Sequence, residues 1–292
     1  HECEDDSTLK YVGTTKRGIP LYLNKTVVEA DIIILTGVIV PHHSAGFSGG
    51  RKSILPGVAG IKTLKVHHSL PIRPYEPSMG KIYGNPFHEE SVEAAKMVGV
   101  DFIVNVVQNN KKETTVAIAG DLERAHEEGV KMSLKSCSVN LSPKADIVIT
   151  CPGGYPRDIN LYQAQKAVSV AESVVKDNGV IILVAECPEA IEENDFLLWM
   201  KAAKTPLEVV ERFRKEGYSV GSNKAFMFSR ALLKCKIIVV TDKIPEKILK
   251  TLFLHRAATL EEAYREASKI MGYDSKTLVL PNASTVMPML NN

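Results

Sequence analysis

Apolar positions along the first half of the chain follow two spacings, one typical of strands and one typical of helices. Short apolar runs rich in β-branched residues predict strands over residues 21–23, 32–40, 101–107 and 114–118. Helices are predicted over 61–68, from Pro86 to Gly99 and from Asp121 to about 134, with a single turn at 25–30. Between the last two strands, Asn109-Asn110 predicts the turn of a hairpin.

The second half alternates regularly between strand and helix. The predicted strands cover residues 145–150, 180–186, 236–241 and 277–280, the last of them ending the fold. The predicted helices cover 160–176, two segments between 195 and 216, 223–233, 245–253 and 259–271, the last opening with a capping box. Strict alternation predicts an α/β fold in which a Rossmann-like, mostly parallel sheet carries helices on both faces and binds ligands at its carboxyl edge.

A polar stretch over residues 135–144 separates the two halves, and it predicts two lobes, 1–136 and 137–292. With 36 basic and 34 acidic residues, the formal charge is only +2, and no block of like charge would follow a nucleic acid or an anionic membrane. No apolar run approaches the length of a membrane span, and five scattered cysteines predict reduced thiols. We therefore expect a soluble, cytoplasmic protein whose partner is a small molecule.

Four histidines lie in a segment dense in Gly, Ser and Pro that follows the strand at 32–40. They form two adjacent pairs, His42-His43 and His67-His68. Neutral imidazole suits nickel, zinc, copper or iron, so the clustering favours a metal site. The alternative is that adjacent side chains point opposite ways, which would leave at most one histidine of each pair facing any one site.

The turn Ser48-Gly49-Gly50 lies between the two histidine pairs and is followed by Arg51-Lys52. Backbone N–H groups without side chains around them suit an anion, and the two cations add positive charge. The P-loop spacing is absent, and an ordinary flexible glycine turn is the alternative. Lys52 could also anchor a ligand covalently through its amine.

A third candidate region follows the first strand of the second lobe. There, the loop Gly153-Gly154 precedes Tyr162-Gln163-Ala164-Gln165-Lys166 at the start of a helix. Gln163 and Lys166 are three residues apart and share a helix face, close to a helix N-terminus that favours anions. This corner would suit a carboxylate, although two solvated polar residues in a first turn are the alternative.

Taken in order, these blocks resemble the nickel-dependent lactate racemase family. The resemblance rests on His42 and Lys52 within Pro-His-His-Ser-Ala-Gly-Phe-Ser-Gly-Gly-Arg-Lys, on His68 sixteen residues later, and on the Gly-Gly-Tyr-Pro and Tyr-Gln-x-Gln-Lys blocks. It extends to Gly13-Thr14-Thr15-Lys16-Arg17-Gly18-Ile19-Pro20 and to the residues around 281–285. The likeness therefore covers almost the whole chain.

The resemblance implies a racemase or epimerase of a small 2-hydroxy acid that works by proton-coupled hydride transfer. Its cofactor would be a nickel-pincer nucleotide, a pyridinium-3-thioamide-5-thiocarboxylic acid mononucleotide supplied by cofactor-building enzymes. The implied roles are His68 as nickel ligand, Lys52 as the covalent tether that some members carry, and Ser48, Gly49 and Gly50 at the cofactor. His42 and Lys166 would be catalytic, with Tyr162, Gln163 and Lys166 holding the substrate.

The family also has Gly-x-His-Arg-Pro and Asp-x-Thr-Arg-Pro segments that supply a second histidine and an arginine. Neither occurs here, because Ile72-Arg73-Pro74 lacks the context and His255-Arg256 is followed by Ala257. We therefore expect that the chain lacks the family's N-terminal part, that this segment would be a partner, and that the 292 residues alone turn over little substrate. A nickel-cofactor-binding module without turnover is one alternative, and a zinc-dependent hydrolase is another.

Overall fold

The structure is a computed structural model that describes residues 1–70, 73–109, 111–191 and 195–290. The chain folds into two compact units, His1–Ser138 and Val139–Asn292. Both units combine helices and strands, which confirms the predicted α/β class. Within the described residues, no helix is long and apolar enough to span a membrane.

The first unit is built on a three-stranded sheet in the order β3-β6-β7, with β3 parallel to β6 and β6 antiparallel to β7. Two antiparallel pairs, β1-β2 and β4-β5, accompany it. The strands are β1 (Leu9–Thr14), β2 (Pro20–Asn24), β3 (Ile34–Val38), β4 (Pro41–His42), β5 (Gly46–Phe47), β6 (Phe102–Gln108) and β7 (Thr114–Gly120). The helices are α1 (Lys25–Val28), α2 (Ile61–His67), α3 (Pro86–Val98) and α4 (Arg124–Cys137).

One face of this sheet packs against helices. Leu35 of β3 and Ile103 of β6 are buried in one core with Ala94 and Ala95 of α3 and Ala125 of α4. Burial of these apolar side chains is the main stabilising contribution to the unit.

Local signals that set the helix ends were predicted well. Asn85 accepts a hydrogen bond from Phe87 N and caps α3, which ends at Gly99 in the left-handed conformation. Asp121 accepts from Arg124 N at the start of α4. The predicted turn at Asn109-Asn110 includes Asn110, which lies outside the described residues.

The second unit carries a five-stranded sheet in the order β12-β11-β10-β9-β13, with every neighbouring pair parallel. Its strands are β8 (Ser138–Leu141), β9 (Ala145–Thr150), β10 (Val175–Val184), β11 (Lys236–Val240), β12 (His255–Ala257), β13 (Thr277–Leu280) and β14 (Met287–Leu290). Its helices are α5 (Leu161–Val174), α6 (Asp195–Ala202), α7 (Pro206–Glu216), α8 (Ser222–Lys234), α9 (Glu246–Thr251) and α10 (Leu260–Met271).

This strand order confirms the predicted Rossmann-like parallel sheet. The chain order of the strands reverses between β9 and β13, and ligands of such sheets bind at the carboxyl ends of the strands beside that switch point. Here the switch point is lined by the loops that follow Thr150 and Leu280.

Three details of the sequence prediction were wrong. Helix α5 ends at Val174, and β10 begins at Val175 rather than at residue 180. Strand β12 was not predicted, since it has only three residues and two of them are polar. The strand at 277–280 is not the last, because β14 follows and pairs with β8.

Candidate active site

The loop after β3 forms the tight hairpin β4-β5, in which His42 pairs with Gly46. Within this hairpin, Ser44 N and Ala45 N donate to His42 Nδ1 over 3.2 and 3.1 Å. A ring nitrogen that accepts hydrogen bonds carries no proton, so the neutral ring of His42 has its proton on Nε2. In this conformation His42 can therefore donate, but not accept, at Nε2.

The rings of His42 and His43 stack, with centroids 4.4 Å apart and planes inclined by 22°. Those of His67 and His68 also lie close, in an edge-on arrangement with centroids 5.1 Å apart. The two rings of each pair therefore do not point opposite ways, although only one histidine of the second pair can face a site, because His67 is buried and His68 is partly exposed. Adjacent side chains point to opposite sides in an extended backbone, and the turn after β4 and the end of α2 are not extended.

The turn Ser48-Gly49-Gly50 is fixed mostly by bonds within the first unit. Ser48 Oγ donates to Val38 O over 2.6 Å, and Gly50 N donates to Asn105 Oδ1 over 2.8 Å. Gly49 has φ +80°, and a Cβ there would lie 2.4 Å from Asn105 Oδ1, so only glycine fits. The Ser48 hydroxyl and the Gly50 N–H already have hydrogen-bond partners within the protein. The turn would therefore contact a ligand through its surface more than through hydrogen-bond donors.

Arg51 is the most deeply buried cation of this loop, with 1% of its surface exposed. Its terminal nitrogens contact four carbonyls of the same loop and one distant ring nitrogen, those of Ala45, Phe47, Ser48, Gly49 and His126. Burial lowers the pKa of Arg51 to about 9, which still leaves it charged at neutral pH. Arg51 therefore stabilises the conformation of the loop through these buried contacts. Lys52 beside it is only half-buried.

Helix α2 carries His67 and is capped at its carboxyl end by His68. Thr63 fixes the helix against β2, because its hydroxyl donates to Pro20 O over 2.6 Å and accepts from Tyr22 N over 2.8 Å. The ring of His67 is buried against Phe87, with centroids 3.9 Å apart. His67 is therefore a packing residue, while His68 is the member of the pair that is partly exposed.

Arg73 joins His68 to the hairpin. Its Nε donates to His68 O over 3.0 Å and its Nη1 to Ser44 Oγ over 2.7 Å. Sequence reasoning missed this role, since Ile72-Arg73-Pro74 was considered only as an incomplete family motif. Arg73 is buried and brings the end of α2 and the turn after β4 into one structure.

Lys52 and His68 lie close enough to interact electrostatically. Burial is the main cause that lowers the pKa of His68 well below its usual range, and the interaction with the neighbouring His67 ring and the charges of Arg73 and Lys52 add to it. The ring therefore stays neutral at physiological pH, which is the form that binds a metal. The predicted nickel ligand therefore has a neutral ring, and the charge of Lys52 contributes to keeping it neutral.

In the described part of the chain, no three His, Cys, Asp or Glu side chains come close enough to hold a metal ion by themselves. A zinc site made only of protein side chains, which the hydrolase alternative requires, is therefore not found there. A cofactor that carries its own metal ligands needs fewer metal ligands from the protein. One neutral imidazole at His68 and one amine at Lys52 fit such a group.

In the second unit, the predicted substrate residues begin α5, beside the switch point of the sheet. Asn160 caps the helix by accepting from Gln163 N over 2.9 Å. Lys166 Nζ donates to Gln163 Oε1 over 2.8 Å, so the two side chains share a face as predicted. Tyr162 turns toward the helical layer, where its ring lies 5.2 Å from Lys224 Nζ and 6.4 Å from Phe196.

Arg157 is a candidate site residue that sequence reasoning missed. Its Nη1 donates to Asn282 Oδ1 over 3.0 Å, which links the loop after β9 to the loop after β13. Partial desolvation, and second the charge of Arg157, lower the pKa of Lys166. Gly153 permits this arrangement, because a Cβ there would lie 2.3 Å from Asn282 Oδ1. Arg157 and Lys166 thus place two cations at the switch point, where an anion would bind.

Comparisons with known proteins show which family the chain resembles. A sequence model of the Lactate racemase N-terminal domain matches residues 1–80, and one of the Lactate racemase C-terminal domain matches residues 141–287. The lactate racemase of Thermoanaerobacterium thermosaccharolyticum is 37% identical over 98% of this chain and 68% of its own length. That of Lactiplantibacillus plantarum is 33% identical with the same coverage.

Solved structures show the same likeness. The apoprotein of the Thermoanaerobacterium thermosaccharolyticum lactate racemase superposes with a TM-score of 0.94 at 36% identity, over 99% of this chain and 70% of that one. A Thermotoga maritima protein shares the fold alone, with a TM-score of 0.74 at 18% identity over all of this chain and 77% of the other. From its domain matches and from relatives more than 30% identical over nearly all of its sequence, the chain belongs to the lactate racemase family and is an isomerase.

Proposed function

We propose that the chain racemises a small 2-hydroxy acid of the lactate type by proton-coupled hydride transfer with a nickel-pincer nucleotide. The observation that carries the proposal is the buried Arg73, whose side chain joins the backbone of His68 to Ser44 of the hairpin that carries His42. Lactate is the substrate class because the curated relatives are lactate racemases.

His68 would ligate the nickel and Lys52 would tether the organic part, with Ser48, Gly49 and Gly50 shaping the surface on which it lies. When bound, this cofactor supplies the hydride acceptor for C2 of the substrate. The cofactor would come from separate cofactor-building enzymes, which are therefore partners of the protein.

His42 would move the proton of the substrate hydroxyl. A general base needs an unprotonated nitrogen within hydrogen-bond reach, and Nε2 carries the proton while Nδ1 accepts from Ser44 N and Ala45 N. We infer that the ring turns over about its Cβ–Cγ bond during the reaction. Once Nδ1 has left the two N–H groups, it can take a proton from water while Nε2 gives its own proton to water, and the freed Nε2 can then take the hydroxyl proton and later return it.

The second unit would hold the substrate. Lys166 and Arg157 would bind the carboxylate, and Gln163, whose Oε1 now accepts from Lys166, would orient the hydroxyl. In this scheme Lys166 acts by fixing the reacting carbon, because its interaction with the carboxylate leaves C2 in one orientation. Tyr162, at the start of the same helix, would contact the substrate beside Gln163.

A labelled substrate tests the proposal directly. The protein is matured beside the cofactor-building enzymes and given L-lactate with deuterium at C2. Formation of D-lactate that retains the deuterium, with a primary isotope effect, is expected for transfer of hydride to and from the cofactor. Exchange of the label with solvent would instead indicate removal of a C2 proton and would contradict the mechanism. The variant His42→Gln should lose the conversion while its nickel content stays unchanged.

A further inference from the structure

Gln165 is the polar residue of the Tyr-Gln-x-Gln-Lys block that has no role in the proposed function. Helix α5 leaves Gln163 half-buried and Lys166 exposed, but it turns Gln165 into the protein, where its side chain is fully buried. There, Gln165 Oε1 accepts from Lys224 Nζ of α8 over 3.0 Å, and Nε2 donates to Ser169 Oγ over 2.7 Å. A buried amide and a buried ammonium thus join α5 to α8 next to the predicted substrate residues.

A second buried polar contact joins the same two helices about two turns further along. Arg230 of α8 donates from Nε to Glu172 Oε1 over 2.8 Å and from Nη2 to Glu172 Oε2 over 2.6 Å. At most 8% of the surface of either residue is exposed. In both contacts, residues at corresponding positions along the two helices meet, so α5 and α8 run parallel and are joined at two places.

These two contacts restrict the helix pair in a way that apolar packing does not. Both helices also bury small and apolar side chains, among them Ala164 and Val168 of α5 and Ala225 of α8. Burial of such side chains is non-directional and tolerates a small rotation or slide of one helix on the other. A buried polar pair does not, because separating its partners leaves a polar or charged group unpaired away from water. The two contacts therefore fix the rotation and the register of α5 on α8.

The direction in which Gln163 and Lys166 point depends on that rotation, since turning a helix about its axis moves all of its side chains together. We propose that Gln165 and Lys224 are positioning residues, which fix the first turns of α5 so that Gln163 and Lys166 meet the hydroxyl and carboxylate of a 2-hydroxy acid. Lys224 also holds Tyr162, whose ring centroid lies 5.2 Å from Lys224 Nζ. The inference rests on the proposed substrate role of Gln163 and Lys166.

Paired replacements test this role. The double variant Gln165→Met with Lys224→Met removes the first contact and keeps side chains of similar length, a kind of change that buried polar pairs often tolerate. Gln165→Met alone keeps Lys224 and serves if the double variant folds poorly. Gln165→Glu keeps an oxygen that accepts from Lys224, so it is the conservative control. Val168→Ala removes apolar volume from α5 and should lower stability, but it keeps both polar contacts.

Affinity for lactate is the first measurement, made on the matured protein from the line broadening of the lactate methyl signal. The dissociation constant should rise at least about tenfold in Q165M/K224M and in Q165M, because the groups that hold the carboxylate and hydroxyl are no longer oriented. It should stay within about twofold of the wild type in Q165E and in V168A, which is less stable but keeps the orientation of α5.

Amide hydrogen exchange is the second measurement, made on the protein without cofactor or substrate, and it does not depend on the proposed function. Exchange over residues 163–168 should become at least about tenfold faster in Q165M/K224M and in Q165M, since this part of α5 is no longer joined to α8. Residues 170–174, which the contact between Glu172 and Arg230 still holds, should exchange at the wild-type rate. A general loss of stability would instead accelerate both segments.

Three results would overturn the proposal. One is a lactate affinity in both methionine variants equal to that of the wild type, and another is equal acceleration of exchange in the two segments. The third is an affinity in Q165E as low as in Q165M/K224M. If the wild type binds no lactate while residues 163–168 alone exchange faster in the methionine variants, the proposed substrate site is wrong and the contact still positions α5.

Discussion

Ala45 N donates a hydrogen bond to His42 Nδ1 over 3.1 Å, and this contact sets the protonation of the ring. The neutral ring in the resting protein should therefore be the Nε2–H tautomer. Nitrogen NMR of protein with labelled histidine should show this tautomer without substrate. With substrate bound to the matured protein, the population with a proton on Nδ1 should rise. An Nδ1–H tautomer already dominant in the resting protein would contradict the proposed turn of the ring.

Arg51 supplies the next prediction. Replacing it as Arg51→Met would leave several buried carbonyls without a donor, since its terminal nitrogens contact those of Ala45, Phe47, Ser48 and Gly49. Each buried unsatisfied group costs about 1–3 kcal/mol, so the free energy of unfolding should fall by roughly 3 kcal/mol or more. Urea unfolding of the variant and the wild type measures this difference in the free energy of unfolding. Arg265→Met at an exposed position is the control, with an expected change within about 0.5 kcal/mol.

Two histidines, the half-buried His88 and the buried His126, predict how stability changes with pH. Burial first, and the charge of Arg51 second, lower the pKa values of His88 and His126 to about 3. The unfolded chain takes up protons near pH 6.5 while the folded chain does not. The stabilisation is therefore complete above pH 6.5 and is lost as pH falls from there toward 3, by about 1.4 kcal/mol per pH unit and histidine.

The variant His88→Leu tests this dependence. In the wild type, the Nδ1 of His88 has no hydrogen-bond partner in the described residues, so an apolar side chain of similar size should be tolerated there. Urea unfolding between pH 7.5 and 5 measures how the free energy of unfolding changes with pH, and toward pH 5 its slope should be smaller in the variant by about one proton than in the wild type. Leu207→Gln, which changes an exposed side chain that does not titrate, should keep the wild-type slope. An unchanged slope in H88L would mean that His88 does not resist protonation in the folded state.

Arg157 allows a prediction about substrate affinity. Arg157→Met should weaken binding of lactate to the matured protein roughly tenfold or more, because one charged hydrogen-bond donor to the carboxylate is lost. Line broadening of the lactate methyl signal measures this without requiring turnover. Arg265→Met again serves as the control. Equal affinity in R157M and wild type would remove Arg157 from the substrate site.

The sequence was sufficient to predict the parallel sheet of the second unit and the residues at which most helices begin and end. Strands 145–150 and 236–241 are apolar runs between helices whose caps, such as Asn160 and Thr259, are local signals. Strands β1, β4 and β5 were missed, because polar residues interrupt the first and two residues make up each of the others.

Contacts between distant parts of the chain were not predictable in this way. Arg51 meets His126 across 75 positions, and Arg157 meets Asn282 across 125 positions, and no local pattern signals either contact. The sequence also showed which histidines cluster, but not that backbone N–H groups determine the tautomer of His42. Such details depend on how the loops fold over the strand ends.

Metal content tests the central claim most directly. The chain and its His68→Ala variant are produced beside the cofactor-building enzymes, purified, and analysed for nickel and for the mass of the peptide that contains Lys52. We predict near-equimolar nickel in the wild type and in the control His255→Ala, very little nickel in H68A, and added mass at Lys52 that Lys52→Ala removes. Nickel retained in full by H68A, or absent from a wild type matured in this way, would contradict the account.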